Sequence, residues 1–86
     1  MPRTRKSAVQ IRFEILEFLY YHGSNLQLRT YVWRKATSLS YDDFQKHFSY
    51  LKEKGLVDET SDGACKITNN GRRIYEELRN SLSSIL

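Results

Sequence analysis

Leu39-Ser40-Tyr41-Asp42-Asp43-Phe44-Gln45-Lys46-His47-Phe48-Ser49-Tyr50-Leu51-Lys52-Glu53-Lys54-Gly55-Leu56-Val57 is the stretch that decides the fold. Ser40 is a good helix cap, and Asp43 follows three residues later, the spacing of a capping box with Asp in place of the usual Glu. Tyr41, Phe44, Phe48 and Leu51 recur at helical spacing and make one inward face. Gly55 ends the helix after Lys52-Glu53-Lys54, which puts basic residues at its negative end. Upstream, Thr30 is expected to cap a short helix over Tyr31 to Ala36, with Thr37-Ser38-Leu39 as a tight turn. Downstream, Leu56 to Thr60 reads as a strand and Ser61-Asp62-Gly63 as a hairpin turn, with Ala64 to Ile67 returning as the partner strand.

Outward from this segment, Ser7 is expected to cap a first helix that runs to about Tyr21 and stops at Gly23. His22 to Leu28 is a connector, with a short strand at Leu26-Gln27-Leu28. Thr68 is expected to cap a last helix over about residues 69–83, whose Ile74, Leu78, Leu82 and Ile85 share a face. Two helices joined by a short turn and followed by a β-hairpin is the plan of a winged helix-turn-helix, α+β and mostly α. Its third helix, about 21 Å long at a rise of about 1.5 Å per residue, fits a DNA major groove.

The segment from Leu39 to Val57 resembles the core of a small archaeal winged-helix family. That family includes a 10-kDa chromatin-type DNA-binding protein and predicted transcriptional regulators. Its pattern is an A-x-L-S-Y turn, an amphipathic recognition helix and then L-x-E-K-G-L. Ile67-Thr68-Asn69-Asn70-Gly71-Arg72 is similar to the L-T-x-x-G-R that opens the family's last helix. Here Ala36 precedes Leu39 by one residue more than the pattern has, and the connector from His22 to Arg29 is long. The resemblance implies binding of double-stranded DNA as a homodimer.

Length and charge agree with that expectation. Eighty-six residues suffice for one domain, here taken as 1–86 with a basic arm at 1–6. At 40% hydrophobic and 28% charged, the composition is that of a folded chain. Residues 1–36 hold seven Lys or Arg against two acids, and residues 37–86 hold seven against eight. The excess positive charge therefore sits in the N-terminal part and favours a polyanion partner.

The residues expected at DNA follow from this plan. Arg3, Arg5 and Lys6 form the arm. Arg29, Arg34 and Lys35 flank the second helix. Gln45, Lys46, Ser49 and Lys52 lie on the polar side of the third helix, and Lys66 is on the wing. Gln45 has the chemistry to pair with an adenine edge.

The first helix carries a core stripe of Ile11, Ile15, Phe18 and Leu19. A second stripe, Val9, Phe13, Leu16 and Tyr20, is either covered within the monomer or left for a partner. We expect a homodimer that buries Val9, Phe13, Leu16 and Tyr20 with Leu78, Leu82 and Ile85 of the last helix.

No cofactor or metal is expected. His22, His47 and Cys65 fall on different elements without ligand spacing, and no catalytic set can be assembled from them. No apolar run approaches a membrane span, no secretory leader is recognisable, and lone Cys65 suits a reducing cytoplasm. The competing reading is a protein-interaction module on the same fold, which the acid-lined wing (Asp58, Glu59, Asp62) favours; RNA binding or enzymatic activity is less in keeping with the residues.

Phosphate contacts carry no base information. Deleting residues 1–6 should therefore weaken binding to all duplexes alike, in a filter-binding comparison of several sequences. A loss confined to one sequence would contradict a phosphate-binding arm.

Overall fold

The computed structural model describes residues 7–23 and 25–85, with side chains up to Ser81. Along the chain run α1 (Ala8–Tyr21), β1 (Gln27–Leu28), α2 (Arg29–Ala36), α3 (Tyr41–Glu53), β2 (Val57–Glu59), β3 (Ala64–Ile67) and α4 (Asn69–Ile85). The strands make an antiparallel sheet in the order β1-β3-β2. Val57 pairs with Ile67 and Glu59 with Cys65, while Gln27 lies across from Cys65 on the other edge.

The helix ends are where the local chemistry puts them. Ser7 Oγ accepts from the Gln10 amide and Ser40 Oγ from the Asp43 amide. At the end of α3, Gly55 takes φ +73°. Its amide donates to Lys52 O, and that of Leu56 donates to Leu51 O, both at 3.0 Å. This left-handed closure satisfies two orphan carbonyls and turns the chain sharply into β2.

One boundary differs from the sequence expectation. Helix α2 begins at Arg29, two residues before Tyr31, and Leu28 precedes it without a side-chain cap. The Arg29 amide donates instead to Gly63 O at 2.9 Å, so the hairpin supplies the acceptor that Thr30 was expected to provide. Trp33 fixes the turn that follows. Its Nε1 donates to Leu39 O at 2.7 Å, the Thr37 hydroxyl donates to Trp33 O at 2.8 Å, and its ring meets Tyr41 edge-on at 5.1 Å.

The core gathers Ile15, Leu16, Leu19, Val32, Phe44, Phe48, Leu51, Val57, Cys65, Ile67 and Tyr75. Both stripes of α1 enter it. Leu16 is only 2% exposed. Phe13 stacks on Tyr75 at 5.0 Å, the Tyr20 ring lies tilted against Tyr75 at 4.5 Å, and the Tyr20 hydroxyl donates to Glu76 at 2.7 Å. The second stripe is thus largely covered by α4 of the same chain, and only Val9 stands well out, at 65% exposed. Leu16, expected at a dimer seam, is a core residue of the monomer.

The inward face of α4 is also rotated from the expected one. Gly71 and Tyr75 are buried, whereas Leu78 is 37% exposed. Tyr75, absent from the expected stripe, donates its hydroxyl to Glu17 at 2.9 Å, and burial and that bond push its pKa upward. The side chains of Leu82 and Ile85 lie outside the described residues, as does the arm with Arg3, Arg5 and Lys6.

The rotation has a steric cause. A Cβ at position 71 would overlap the carbonyl oxygen of Leu56 and lie 2.6 Å from Cγ1 of Ile67. The Thr68 hydroxyl donates to Gly55 O at 2.6 Å and accepts from the Gly71 amide at 3.0 Å, and the Thr68 amide donates to Leu56 O at 3.0 Å. The two motif segments, Lys54-Gly55-Leu56 and Thr68 to Gly71, therefore interlock. Gly71→Ala should cost about 1–3 kcal/mol or more by overpacking, read as a lower urea midpoint; an unchanged midpoint would show that the backbone can separate freely.

Candidate nucleic-acid interface

Successive residues of a helix are about 100° apart. With Phe44, Phe48 and Leu51 buried, Asp42, Lys46, Ser49 and Glu53 fall on the opposite, outermost side of α3, and all four are exposed. Asp42 and Asp43 sit in its first turn, where the helix dipole favours acids, and Lys52 in its last. Lys46 Nζ lies 3.8 Å from Asp43 Oδ1 with both side chains largely in water, a pair of little energetic weight. The outermost face therefore holds two carboxylates and one ammonium, not a basic stripe.

The expected DNA residues on the wing side of α3 are already engaged. Glu59 of β2 accepts from Arg29 Nη2 at 2.7 Å and from Lys52 Nζ at 2.8 Å, both on Oε1. Arg29 Nη1 also reaches Gln45 Oε1 at 3.5 Å, and its guanidinium sits 4.8 Å from the centroid of the Phe48 ring. The Glu59 side chain is 11% exposed and that of Arg29 21%, whereas Lys52 retains 39%. One carboxylate thus joins α2, α3 and the wing.

Cys65 lies beneath this group. Its thiol is 4.0 Å from Glu59 Oε2, and burial first, then the Glu59 charge, push its pKa up to about 11. It is an inert core thiol.

The remaining expected residues are more dispersed. Arg34 and Lys35 are exposed on the last turn of α2, with Lys35 Nζ 5.7 Å from the Tyr31 ring. Lys66 is exposed on β3 directly across from Asp58. The fold therefore brings Arg29, Gln45 and Lys52 together on one flank, leaves Lys46 and Ser49 on the outer face, and sets Lys66 beside an acid.

Sequence reasoning missed Glu59 as the hub. The signal was present in the strand alternation, which turns Val57 and Glu59 to one side and Asp58 to the other. An inward carboxylate needs a cation, and Arg29 and Lys52 supply it.

A short turn between α2 and α3, an exposed polar α3 and a hairpin beside it complete the observation. The chain belongs to the winged helix-turn-helix family. The family model matches residues 5–85, nearly the whole chain. No curated protein and no solved structure gives a significant match. Membership suggests DNA binding, and domains of this family are typically non-enzymatic. Among the described residues no helix is long and apolar enough to cross a membrane, and no cluster of His, Cys, Asp and Glu has the makings of a metal site.

Glu59→Gln keeps the shape and removes the charge. It should lower stability by about 1–3 kcal/mol, because Arg29 is then left partly buried without a counter-charge. It should also release Lys52, so that duplex binding becomes steeper in salt by about one phosphate contact. Unchanged stability in denaturant and an unchanged salt slope would show that the cluster is not coupled.

Proposed function

We propose that this winged helix-turn-helix protein binds double-stranded DNA as a homodimer in the cytoplasm, as a transcriptional regulator or a chromatin-type protein. The observation that carries the reading is the placement of α3: capped by Ser40, buried along Phe44, Phe48 and Leu51, and open along Lys46 and Ser49. The interlock of Lys54-Gly55-Leu56 with Thr68 and Gly71 supports kinship with the small archaeal chromatin-type and regulator proteins, whose pattern pairs these two segments.

On this reading Lys46 and Ser49 meet base edges or phosphate, Arg34, Lys35 and Lys66 approach the backbone, and the arm residues Arg3, Arg5 and Lys6 add phosphate contacts. Arg29 is committed to Glu59 at 2.7 Å and reaches Gln45 at 3.5 Å. Because a guanidinium only donates, Gln45 turns its carbonyl oxygen toward Arg29 and keeps its amide N–H groups for an acceptor. That suits N7 or O6 of guanine better than the two-point adenine pairing expected from sequence.

The homodimer reading now rests on Val9 and on α4. Residues 76–81 of α4 are all exposed, Leu78 among them, and Leu82 and Ile85 continue the same run of sequence. A second copy of the chain is the partner that would cover this stripe and place two recognition helices on one duplex, about 34 Å apart. Phe13 and Tyr20 contribute by supporting Tyr75 rather than by direct contact.

A protein-interaction module is the second reading, favoured by Asp42 and Glu53 on the outer face of α3 and Asp58 on the wing. Gel shifts with random duplex DNA at two salt concentrations separate the two. The DNA reading predicts a retarded complex that weakens steeply with salt; no complex at low salt would leave the protein-interaction reading. Sedimentation at micromolar concentration should give the mass of two chains, and a monomer there would refute the homodimer.

A further inference from the structure

The two flanks of α3 differ in charge balance. On the wing flank, Glu59 holds Arg29 and Lys52. On the opposite flank, which faces α1, the Arg12 guanidinium lies 3.6 Å from the centroid of the Tyr50 ring, and Lys54 Nζ lies 5.4 Å from the same centroid. The ion pairs among the described residues are Arg29–Glu59, Lys46–Asp43 and Lys52–Glu59, so neither Arg12 nor Lys54 faces a carboxylate at that range.

Nε of Arg12 and Nδ1 of His47 on this flank are buried with no hydrogen-bond partner, as is Nε of Arg29 on the wing flank. The His47 pKa is lowered, first by burial and then by the Arg12 charge, with Lys46 adding to it and Asp43 opposing it.

The ring explains how the cations are held without an acid. The negative face of Tyr50 attracts a guanidinium and fixes its plane. Arg12 is thereby pre-ordered while its charge remains available to an outside anion. Lys54, at the negative end of α3, is exposed. In sequence, the basic arm directly precedes the helix that carries Arg12.

We propose that the α1 flank of α3, centred on Arg12, Tyr50 and Lys54, is a phosphate-binding site for the duplex DNA backbone. The assignment rests on the DNA-binding reading and adds to it the side from which the backbone approaches. A phosphate here gains two positive charges, neither of them paired with a carboxylate among the described residues, with Asp43 further along the same flank and set against Lys46, whereas on the wing flank it would have to compete with Glu59 for Lys52.

The test is a salt series of duplex binding for the full chain, its Lys54→Gln variant and the Arg12→Gln/Lys54→Gln double variant. Arg73→Gln is the charge-matched control, since Arg73 is exposed at the start of α4 and bonds Asn70 of its own helix. Each lost phosphate contact should make the logarithmic salt slope shallower by about 1, equally for all sequences. Lys54→Gln should shift it by about 1 and the double variant by about 2, with Arg73→Gln at the wild-type slope. Wild-type slopes in both variants would overturn the site, as would an equal shift in Arg73→Gln. If the full chain binds no duplex, the DNA-binding reading falls and the site with it. Should Arg12→Gln lose the circular dichroism of the fold, the exposed Lys54→Gln decides alone.

Discussion

The absence of a side chain at position 71 lets α4 lie directly on the backbone of Leu56, and the other elements take their places from that contact. The Leu56 carbonyl occupies the space a Cβ would need, and Thr68 ties the same turn to the start of α4 through three hydrogen bonds. Because Leu56 directly follows the Gly55 closure of α3, that helix, the wing and α4 are fixed to one another through a few backbone atoms. Tyr75, one turn further on, then receives Phe13 and Tyr20 of α1. A chain this short buries only about 60–65% of its unfolded surface, so such close backbone packing contributes what a larger core would otherwise supply.

The electrostatics divide along α3. A carboxylate in the wing, nearly out of water, takes up the charges of Arg29 and Lys52 and orients Gln45 through Arg29. The opposite flank holds Arg12 and Lys54 over an aromatic ring, neither of them in an ion pair among the described residues. The same helix thus has Gln45 held beside Arg29 on one side and these two cations on the other. The modest positive balance of the whole chain understates this, because charge matters by position rather than by sum.

Much of the fold was legible in the sequence, because its signals are local. Ser7 and Ser40 cap where a hydroxyl should, Gly23, Gly55 and Gly63 adopt the positive φ that turns require, and the spacing of Phe44, Phe48 and Leu51 sets the buried face of α3. What was not legible depends on contacts between distant segments. The start of α2 is set by Gly63, thirty-four residues away in sequence. The rotation of α4 follows from Leu56, so Tyr75 rather than Leu78 turns inward. The site was legible as a list of cations and polar groups. Their pairing was not, because Glu59 meets Arg29 and Lys52 only once the sheet has formed.

Backbone amide chemical shifts of the labelled protein, followed as a short duplex is added, test most directly the claim that α3 and its α1 flank are the face that meets DNA. The account predicts the largest changes at Lys46 and Ser49 and at Arg12 and Lys54, with Leu78 and its neighbours on α4 nearly still. Changes centred on α4 while α3 stays silent would contradict it.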